Sequence, residues 1–111
     1  MKHNMKLNNE PYNSIKNGTK TVELRLYDEK RRQLQVGDEI EFTNITTNEK
    51  QSVDIINLYK YNNFKELYNH FNKIEMGYKE NEEASPSEMD EYYSKEEQNK
   101  YGVLAIKIKR K

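Results

Sequence analysis

The sequence contains no cysteine, only two histidines and no long hydrophobic run, and each shortage excludes a class of function. Without cysteine there is no disulfide, no zinc–thiolate site and no cysteine nucleophile. His3 and His70 lie far apart in the chain and match no metal-ligand spacing. The N-terminus lacks the apolar run of a secretory signal, and no segment approaches transmembrane length. We therefore expect a soluble cytoplasmic protein that has no metal or other cofactor and does not bind membranes.

Neither sign of charge is in excess, because 19 Lys and Arg residues balance 19 Asp and Glu residues. A neutral chain is not a general polyanion binder, although it can carry a local basic patch. Residues 1–36 hold eight basic and four acidic side chains, whereas residues 75–98 hold two basic and nine acidic ones. The last 13 residues hold five basic side chains and no acidic one. Both chain ends are thus basic, and an acidic stretch precedes the C-terminal end.

The length of 111 residues fits one domain with one modest core, and no internal repeat or linker divides residues 1–111. Alternating apolar residues predict five strands, and capping residues predict three or four short helices between them. The expected strands are residues 3–7, 21–26, 39–43, 53–61 and 103–109. The break in alternation at Ile55-Ile56 predicts a bulge or a bend. These elements predict an α+β fold built on a small twisted sheet or barrel.

Capping residues place the helices. Asn8 or Asn9 caps the first one, and Gly18 supplies its left-handed end. Asn63, with Glu66 three residues later, predicts a second helix that lays an apolar stripe on the sheet. That stripe consists of Phe64, Leu67, Tyr68 and Phe71, with His70 half-exposed at its flank. Two more starts are expected at Ser87 and at Ser94, the latter paired with Glu97.

The stretch from Glu75 to Pro86 is acidic and has little apolar content. We expect it to form an exposed, mobile loop, because it can bury few side chains. Whether this loop covers a binding site as a lid stays open at this stage.

One stretch, Gly18 to Leu26, joins a turn to a strand whose two faces differ. Its apolar face, formed by Val22, Leu24 and Leu26, belongs in a core. Its polar face carries Thr21, Glu23 and Arg25, and Lys20 stands in the turn. Such a row is either a binding or catalytic site or a surface salt-bridge ladder, since exposed ion pairs are common and contribute little.

A charged turn follows at residues 28–33 and contains Lys30, Arg31 and Arg32. Two interpretations stay open for it. The turn is a solvated surface, or Arg31 and Arg32 contact a phosphate, which requires positive charge but no sequence code.

These features together resemble the ASCH domain family, which has a PUA-like β-barrel. Residues 18–25 fit that family's pattern of glycine, any, lysine, any, any, glutamate, any, arginine. Residues 36–42 are similar to its glycine–aspartate turn and the strand after it. Residues 92–106 look like the end of the small bacterial members. The resemblance spans essentially the whole chain and implies a small mixed barrel of about five strands with short peripheral helices.

The resemblance also implies a function. ASCH domains are generally proposed to bind RNA through the cleft that holds this motif, which would place Lys20, Glu23 and Arg25 at the cleft. Some small bacterial members resemble amidohydrolases that remove an acetyl group from acetylated cytidine with a lysine, a threonine three residues later and a distant glutamate. Lys20 matches the lysine, Glu23 stands in the threonine's place, and Glu66 and Glu75 are candidates for the distant glutamate. Another member resembles a ribonuclease, from which no residue set transfers.

For binding, Arg25 offers a planar donor fork to a phosphate or a base edge, and Lys20 adds a point charge. Glu23 can accept hydrogen bonds from the Watson–Crick edge of cytosine or guanine. The candidates for stacking on an unpaired base are Tyr12, Tyr27 and Tyr59.

For hydrolysis, Lys20 has to lose its proton to act as a base, with Glu23 as its partner, but an adjacent carboxylate favours the charged lysine. We therefore predict a module that binds RNA, a nucleotide or a nucleoside. The alternatives are an amidohydrolase or a ribonuclease and, third, a protein-interaction adaptor whose interface is the acidic stretch 75–98.

Overall fold

The structure is a computed structural model that describes all 111 residues. The strands are β1 (Lys2–Leu7), β2 (Val22–Leu26), β3 (Glu39–Asn44), β4 (Lys50–Tyr61) and β5 (Val103–Arg110). The α-helices are α1 (Asn9–Lys16), α2 (Phe64–Tyr68) and α3 (Lys95–Tyr101), and two 3₁₀ segments span Arg31–Gln33 and Pro86–Glu91.

The five strands form one mixed sheet in the order β1-β3-β4-β5-β2, which curls into a half-barrel. β1 pairs with β3 in parallel, and the other three pairings are antiparallel. The two edges of the sheet are therefore β1 and β2. The predicted α+β fold, a curled sheet of five strands with short helices around it, is confirmed.

The irregularity predicted in the fourth strand is confirmed. The register between β4 and β5 shifts between Ile55 and Asn57, and Ile56, the extra residue, is 44% exposed. In a regular strand, Ile55 and Ile56 would point to opposite faces of the sheet. Two adjacent isoleucines therefore indicated a bulge, in which one residue has no partner on the neighbouring strand.

Two hydrophobic clusters lie on opposite faces of the sheet. The inner cluster contains Leu104, Ile106 and Ile108 of β5 together with apolar residues of β1, α1, β3 and β4. The outer cluster contains Val22, Leu24, Leu26, Val103 and Ala105, and it also contains α2 residues. β2 and β5 therefore bury apolar side chains on both faces. Each large side chain buried in this way contributes roughly 1.5–3 kcal/mol.

Of the four predicted helix caps, two are confirmed by side-chain hydrogen bonds. The side chain of Asn63 accepts the N–H of Glu66 at 2.9 Å, and Ser94 and Glu97 form a complete capping box before α3. Asn8 stands at the capping position of α1, but its side chain makes no capping hydrogen bond. The cap predicted at Ser87 is wrong. The 3₁₀ segment begins at Pro86 with Ser85 at the capping position, since proline fits the first position of a helical turn.

The prediction of an exposed loop from residue 75 onward is wrong at its start. Met76 is only 5% exposed and belongs to the outer cluster. The carbonyl oxygen of Glu75 accepts the N–H groups of Thr21 and Val22, both at 2.9 Å. The Glu75 carboxylate also pairs with Lys107 at 2.9 Å. The burial of Met76 and the hydrogen bonds to the backbone of β2 thus fix the start of this segment. Its acidic composition had predicted that it would be exposed to solvent.

Candidate functional site

A pocket of about 430 Å³ lies beside β2, between the two edge strands of the half-barrel. Lys6 and Leu7 of β1 line one side, and Glu23, Leu24 and Arg25 of β2 line the other. The rest of the lining comes from the start of α1, from Ile45 and Tyr68, and from the segment that follows α2 and includes the second 3₁₀ segment. The concavity exists because no strand fills the gap between β1 and β2.

Three charged side chains meet at this pocket, and we call them the charged triad: Lys20, Glu23 and Arg25. Lys20 Nζ lies 3.0 Å from Glu23 Oε1. Arg25 donates to Glu23 Oε2 through Nε at 2.9 Å, and its Nη2 lies 2.8 Å from the same oxygen. The three side chains are 9%, 5% and 12% exposed. The interpretation as a surface salt-bridge ladder is therefore wrong, because the polar face of β2 is buried.

The strand register explains where the charged triad lies. Glu23 pairs with Ile106 and Arg25 with Leu104, so the two charged residues share the inner face with apolar residues of β5. From this face Arg25 reaches across the gap, and its Nη2 donates to the carbonyl oxygen of Lys6 at 3.0 Å. The guanidinium thus links β2 to β1. Since Nε and Nη2 are both occupied within the protein, Arg25 holds the site and has Nη1 left for further contacts.

Glu23 stays ionised in this environment. Burial alone would raise the pKa of Glu23, but the charges of Lys20 and Arg25 and their hydrogen bonds outweigh burial and lower the pKa to about 2. For Arg25, burial would lower the pKa, but Glu23 and then Tyr93 raise it. Two cations therefore share one carboxylate, and the triad carries one positive charge in excess.

Gly77 leaves room for the stem of Lys20 beside the backbone. Its backbone has φ of +106°, which glycine adopts without strain. A Cβ at this position would lie 3.0 Å from Lys20 Cδ and 3.6 Å from Nζ. The backbone that follows Glu75 is therefore part of the pocket wall and packs directly on the lysine.

Four tyrosines form the aromatic part of the pocket: Tyr68, Tyr78, Tyr92 and Tyr93. The hydroxyls of Tyr68 and Tyr78 are 2.8 Å apart, and Tyr78 also donates to Glu88 Oε2 at 3.2 Å. Burial raises the pKa of both tyrosines, so these hydroxyls remain protonated donors. Tyr92 differs from the others because it is 62% exposed.

Acidic side chains lie around the same pocket. Glu10, Glu82 and Glu88 all line it, and Lys6 is the basic residue that lines it besides the triad. The lining of the pocket therefore combines the charged triad, which has a net positive charge, with four tyrosines and three further acidic side chains.

The structure does not bring every predicted site residue to this pocket. Arg31 pairs with Asp28 at 2.9 Å, and Arg32 donates to the carbonyl oxygen of Tyr27 at 3.1 Å. Neither arginine lines the pocket. Thr21 lines a second cavity, which Lys20 also lines.

The two candidates for a distant glutamate also lie elsewhere. Glu66 caps the start of α2, where its carboxylate accepts the N–H of Asn62 at 3.3 Å. Glu75 is held by Lys107. Neither glutamate is among the residues that line the pocket, whereas Glu10, Glu82 and Glu88 are.

None of the three tyrosines named for base stacking lines the pocket. Tyr12 is fully buried in the inner cluster, Tyr27 lies under Arg32 at 4.9 Å, and Tyr59 packs edge-on against Phe71. The aromatic wall was missed because it depends on how the chain after α2 folds back. The one available signal was the Tyr92-Tyr93 pair in the C-terminal part of the family pattern.

Two absences complete the description of the molecule. No group of three or more His, Cys, Asp or Glu side chains is arranged to hold a metal ion. None of the helices combines the length and the apolar character needed to cross a membrane.

Comparisons with known proteins agree over almost the entire chain. The sequence model of the ASCH domain matches residues 5–111. The crystal structure of the hypothetical protein PH0355 is similar with a TM-score of 0.84, 34% identity and 100% coverage of both chains. The solution structure of protein PF0455 from Pyrococcus furiosus is similar with a TM-score of 0.71 and 34% identity, covering 99% of this chain and 97% of that one. No curated protein matches.

Proposed function

Because this chain belongs to the ASCH domain family, we propose that it is an RNA- or nucleotide-binding module whose pocket holds a single nucleobase or nucleoside. The family is a PUA-like family of RNA-binding domains. The observation that carries the proposal is the pocket itself, which is lined by both the charged triad and four tyrosines. Its volume of about 430 Å³ falls within the range of small-ligand sites, which is roughly 300–1,000 Å³.

The side chains supply two complementary interactions for a base. Tyr92 presents an exposed ring on which a base stacks, and such stacking is sequence-tolerant because every base has a π-face. Lys20 has three donor hydrogens, and the ion pair with Glu23 requires only one of them. The others are available to acceptor atoms on a base or a ribose.

The backbone of β2 adds a directional contact. In an antiparallel ladder, hydrogen-bonded and non-hydrogen-bonded residues alternate. Thr21 accepts from Ile108, and Tyr27 donates to Gly102, so the odd-numbered residues of this strand bond to β5. The N–H and C=O of Leu24 therefore face the open edge, at a residue that lines the pocket. A neighbouring donor and acceptor of this kind match the donor–acceptor edge of a nucleobase.

Binding is favoured over hydrolysis by the state of the charged triad. An ammonium that is paired with an ionised carboxylate is a poor proton acceptor, and the pKa of Glu23 is about 2. Glu23 also replaces the hydroxyl residue of the amidohydrolase pattern described above. We therefore assign Lys20, Glu23 and Arg25 to ligand binding and to the geometry of the pocket.

The proposal is tested by titrating cytidine, the other nucleosides and a single-stranded RNA into the protein by calorimetry. Tyr92→Ala should weaken binding by about 1–3 kcal/mol, the usual value of base stacking. Because Tyr92 is 62% exposed, the melting temperature should not change. Tyr59→Ala is the matched control, since Tyr59 is 37% exposed and lies outside the pocket.

A second variant addresses the triad. Lys20→Ala combined with Arg25→Ala should abolish binding, with circular dichroism used to verify the fold. Equal affinity of the wild type, the Tyr92→Ala variant and the double variant would refute the proposal, and so would the absence of any binding to the wild type.

A further inference from the structure

A second cavity adjoins the pocket, and Lys20 lines both of them. We call it the basic groove and define it by Lys20, Thr21, Lys109, Arg110 and Lys111. Its volume is also about 430 Å³, and no acidic residue is among the eight residues that line it. The basic groove is formed by the last residues of β5 and the turn before β2, so the basic C-terminal end of the sequence is folded against the motif that holds Lys20.

Two of the cations in the basic groove have no carboxylate partner. Lys109 is exposed and takes part in no ion pair, and Arg110 donates only to the carbonyl oxygen of Lys16, at 2.7 Å. Lys111 differs because Glu39 and Asp54 both lie 3.3 Å from its Nζ. Lys109 and Arg110 are therefore the cations of the groove that make no ion pair. They leave β5 on opposite faces, since Lys109 stands across the ladder from Asp54 and Arg110 stands across from Val53.

Gly18 allows the Arg110 guanidinium to lie against the backbone. A Cβ at this position would lie 3.0 Å from Arg110 Nη2, so a larger residue would displace the side chain. The glycine of the family pattern thus has a physical role beyond ending α1. It leaves space for a cation beside the turn that carries Lys20.

Thr21, which lines the groove, has a hydroxyl group that lacks a partner. Thr21 Oγ1 is buried and makes no hydrogen bond within the protein. The backbone of Thr21 is already satisfied, because its N–H donates to Glu75 and its carbonyl oxygen accepts from Ile108. Buried polar groups in folded proteins are nearly always paired, so this hydroxyl is an exception. Because the Thr21 oxygen is itself buried, it does not contact a ligand in the groove, and the cations of the groove carry the argument for an anion.

The pocket and the basic groove differ in the charge that they accept. Glu10, Glu82 and Glu88 line the pocket and repel a phosphate, whereas the groove is lined by cations without acids. We propose that the pocket takes the base, that the basic groove takes the phosphodiester of the adjoining nucleotide, and that the strand passes over Lys20. The ligand is then a single-stranded RNA of two or more nucleotides. This inference rests on the proposed function of the pocket.

The experiment compares cytidine, which reaches only the pocket, with the trinucleotide CpCpC, which reaches both cavities. Affinities are measured by calorimetry at several salt concentrations for the wild type and two variants. Lys109→Gln combined with Arg110→Gln removes the free cations. Thr21→Val removes the unpaired hydroxyl and keeps the branched shape. The matched control is Lys65→Gln combined with Lys100→Gln, which removes two exposed charges from α2 and α3.

Several results are expected. The wild type should bind CpCpC at least tenfold more tightly than cytidine. The Lys109/Arg110 variant should lose most of that advantage, and its slope of log K against log salt should fall by about 0.7 for each phosphate contact removed. Thr21→Val should leave CpCpC binding unchanged because the hydroxyl is buried, and its melting temperature should be unchanged or raised, since the lost hydroxyl had no partner. The control should match the wild type.

The failures of the two proposals are distinguishable. If cytidine binds in a Tyr92-dependent manner but CpCpC binds no more tightly, the basic groove is not a phosphate site and the pocket proposal stands. Equal salt slopes for the Lys109/Arg110 variant and the wild type would also overturn the inference. If neither cytidine nor CpCpC binds, both proposals are wrong.

Discussion

Replacement of Glu23 by glutamine tests whether the charged triad is a buried electrostatic unit. The substitution keeps the shape of the side chain and removes its charge, so Lys20 and Arg25 lose the carboxylate that both contact within 3.0 Å. Removal of one partner from a buried ion pair typically costs about 3–5 kcal/mol, because a charge is left buried without compensation. We expect Glu23→Gln to lower the free energy of unfolding at pH 7 by about 3–5 kcal/mol.

Urea denaturation followed by circular dichroism measures this loss, and Glu41→Gln is the matched control. Glu41 also lies near two cations, Lys2 at 3.0 Å and Lys50 at 3.8 Å, but both lysine side chains are more than half exposed. Exposed pairs contribute about 0–1 kcal/mol, so the control should stay within about 1 kcal/mol of the wild type. The difference between the two substitutions isolates the effect of burial.

The pH dependence gives an independent check on the magnitude. The pKa of Glu23 is lowered from 4.5 to about 2 by folding. A lowered pKa contributes stability that is fully present above pH 4.5 and is lost as the pH falls through 2. Each pKa unit corresponds to 1.36 kcal/mol, so the contribution is on the order of 3 kcal/mol. The stability gap between the wild type and Glu23→Gln should therefore close between pH 4.5 and pH 2.

A second substitution keeps the test valid if Glu23→Gln fails to fold. Adding Lys20→Met removes one of the two uncompensated cations, so the double variant should be more stable than Glu23→Gln alone. The reasoning is refuted if Glu23→Gln lies within 1 kcal/mol of the wild type at pH 7. It is equally refuted if the gap does not narrow on acidification.

Three further predictions follow from other contacts. Gly77→Ala should be more destabilising than Gly37→Ala, since both residues have positive φ but only at Gly77 would a Cβ lie 3.0 Å from Lys20. Thermal melts compare the two variants, and equal decreases in melting temperature would show that the contact has no effect. Ser94→Ala should cost about 1 kcal/mol by chemical denaturation, because it removes the capping box with Glu97; no change would contradict the cap. Incubation with acetylated cytidine should release no cytidine detectable by chromatography, and release above an enzyme-free blank would restore the amidohydrolase interpretation.

Local patterns in the sequence were sufficient to predict structural features that depend on interactions between residues close together in the chain. The Ser94–Glu97 capping box needs only one helical turn, and it was predicted correctly. The irregularity at Ile56 followed from a break in alternation within one strand. The cap predicted at Ser87 was wrong because the preference of proline for the first position of a helical turn was not applied to Pro86, and that local rule selects Ser85.

The candidate site was predicted in part for the same reason. The two-residue period of a strand places Glu23 and Arg25 on one face whatever the rest of the chain does. The sequence did not reveal that this face is buried, because its burial depends on pairing with β5, which follows about 80 residues later in the sequence. Nor did it reveal that Tyr78 and Tyr92, rather than Tyr12, form the aromatic wall.

The sequence by itself thus determined the motif around Lys20, the family and the order of short strands and helices, all of which rest on neighbouring residues. The tertiary structure alone decided that β1 and β2 are edges, that the charged triad lies in the gap between them, and that the basic chain end adjoins Lys20. These features arise from contacts between distant segments, such as Arg25 with Lys6 and Gly18 with Arg110. Periodicity and capping are local properties, and they carry no information about which distant segments meet.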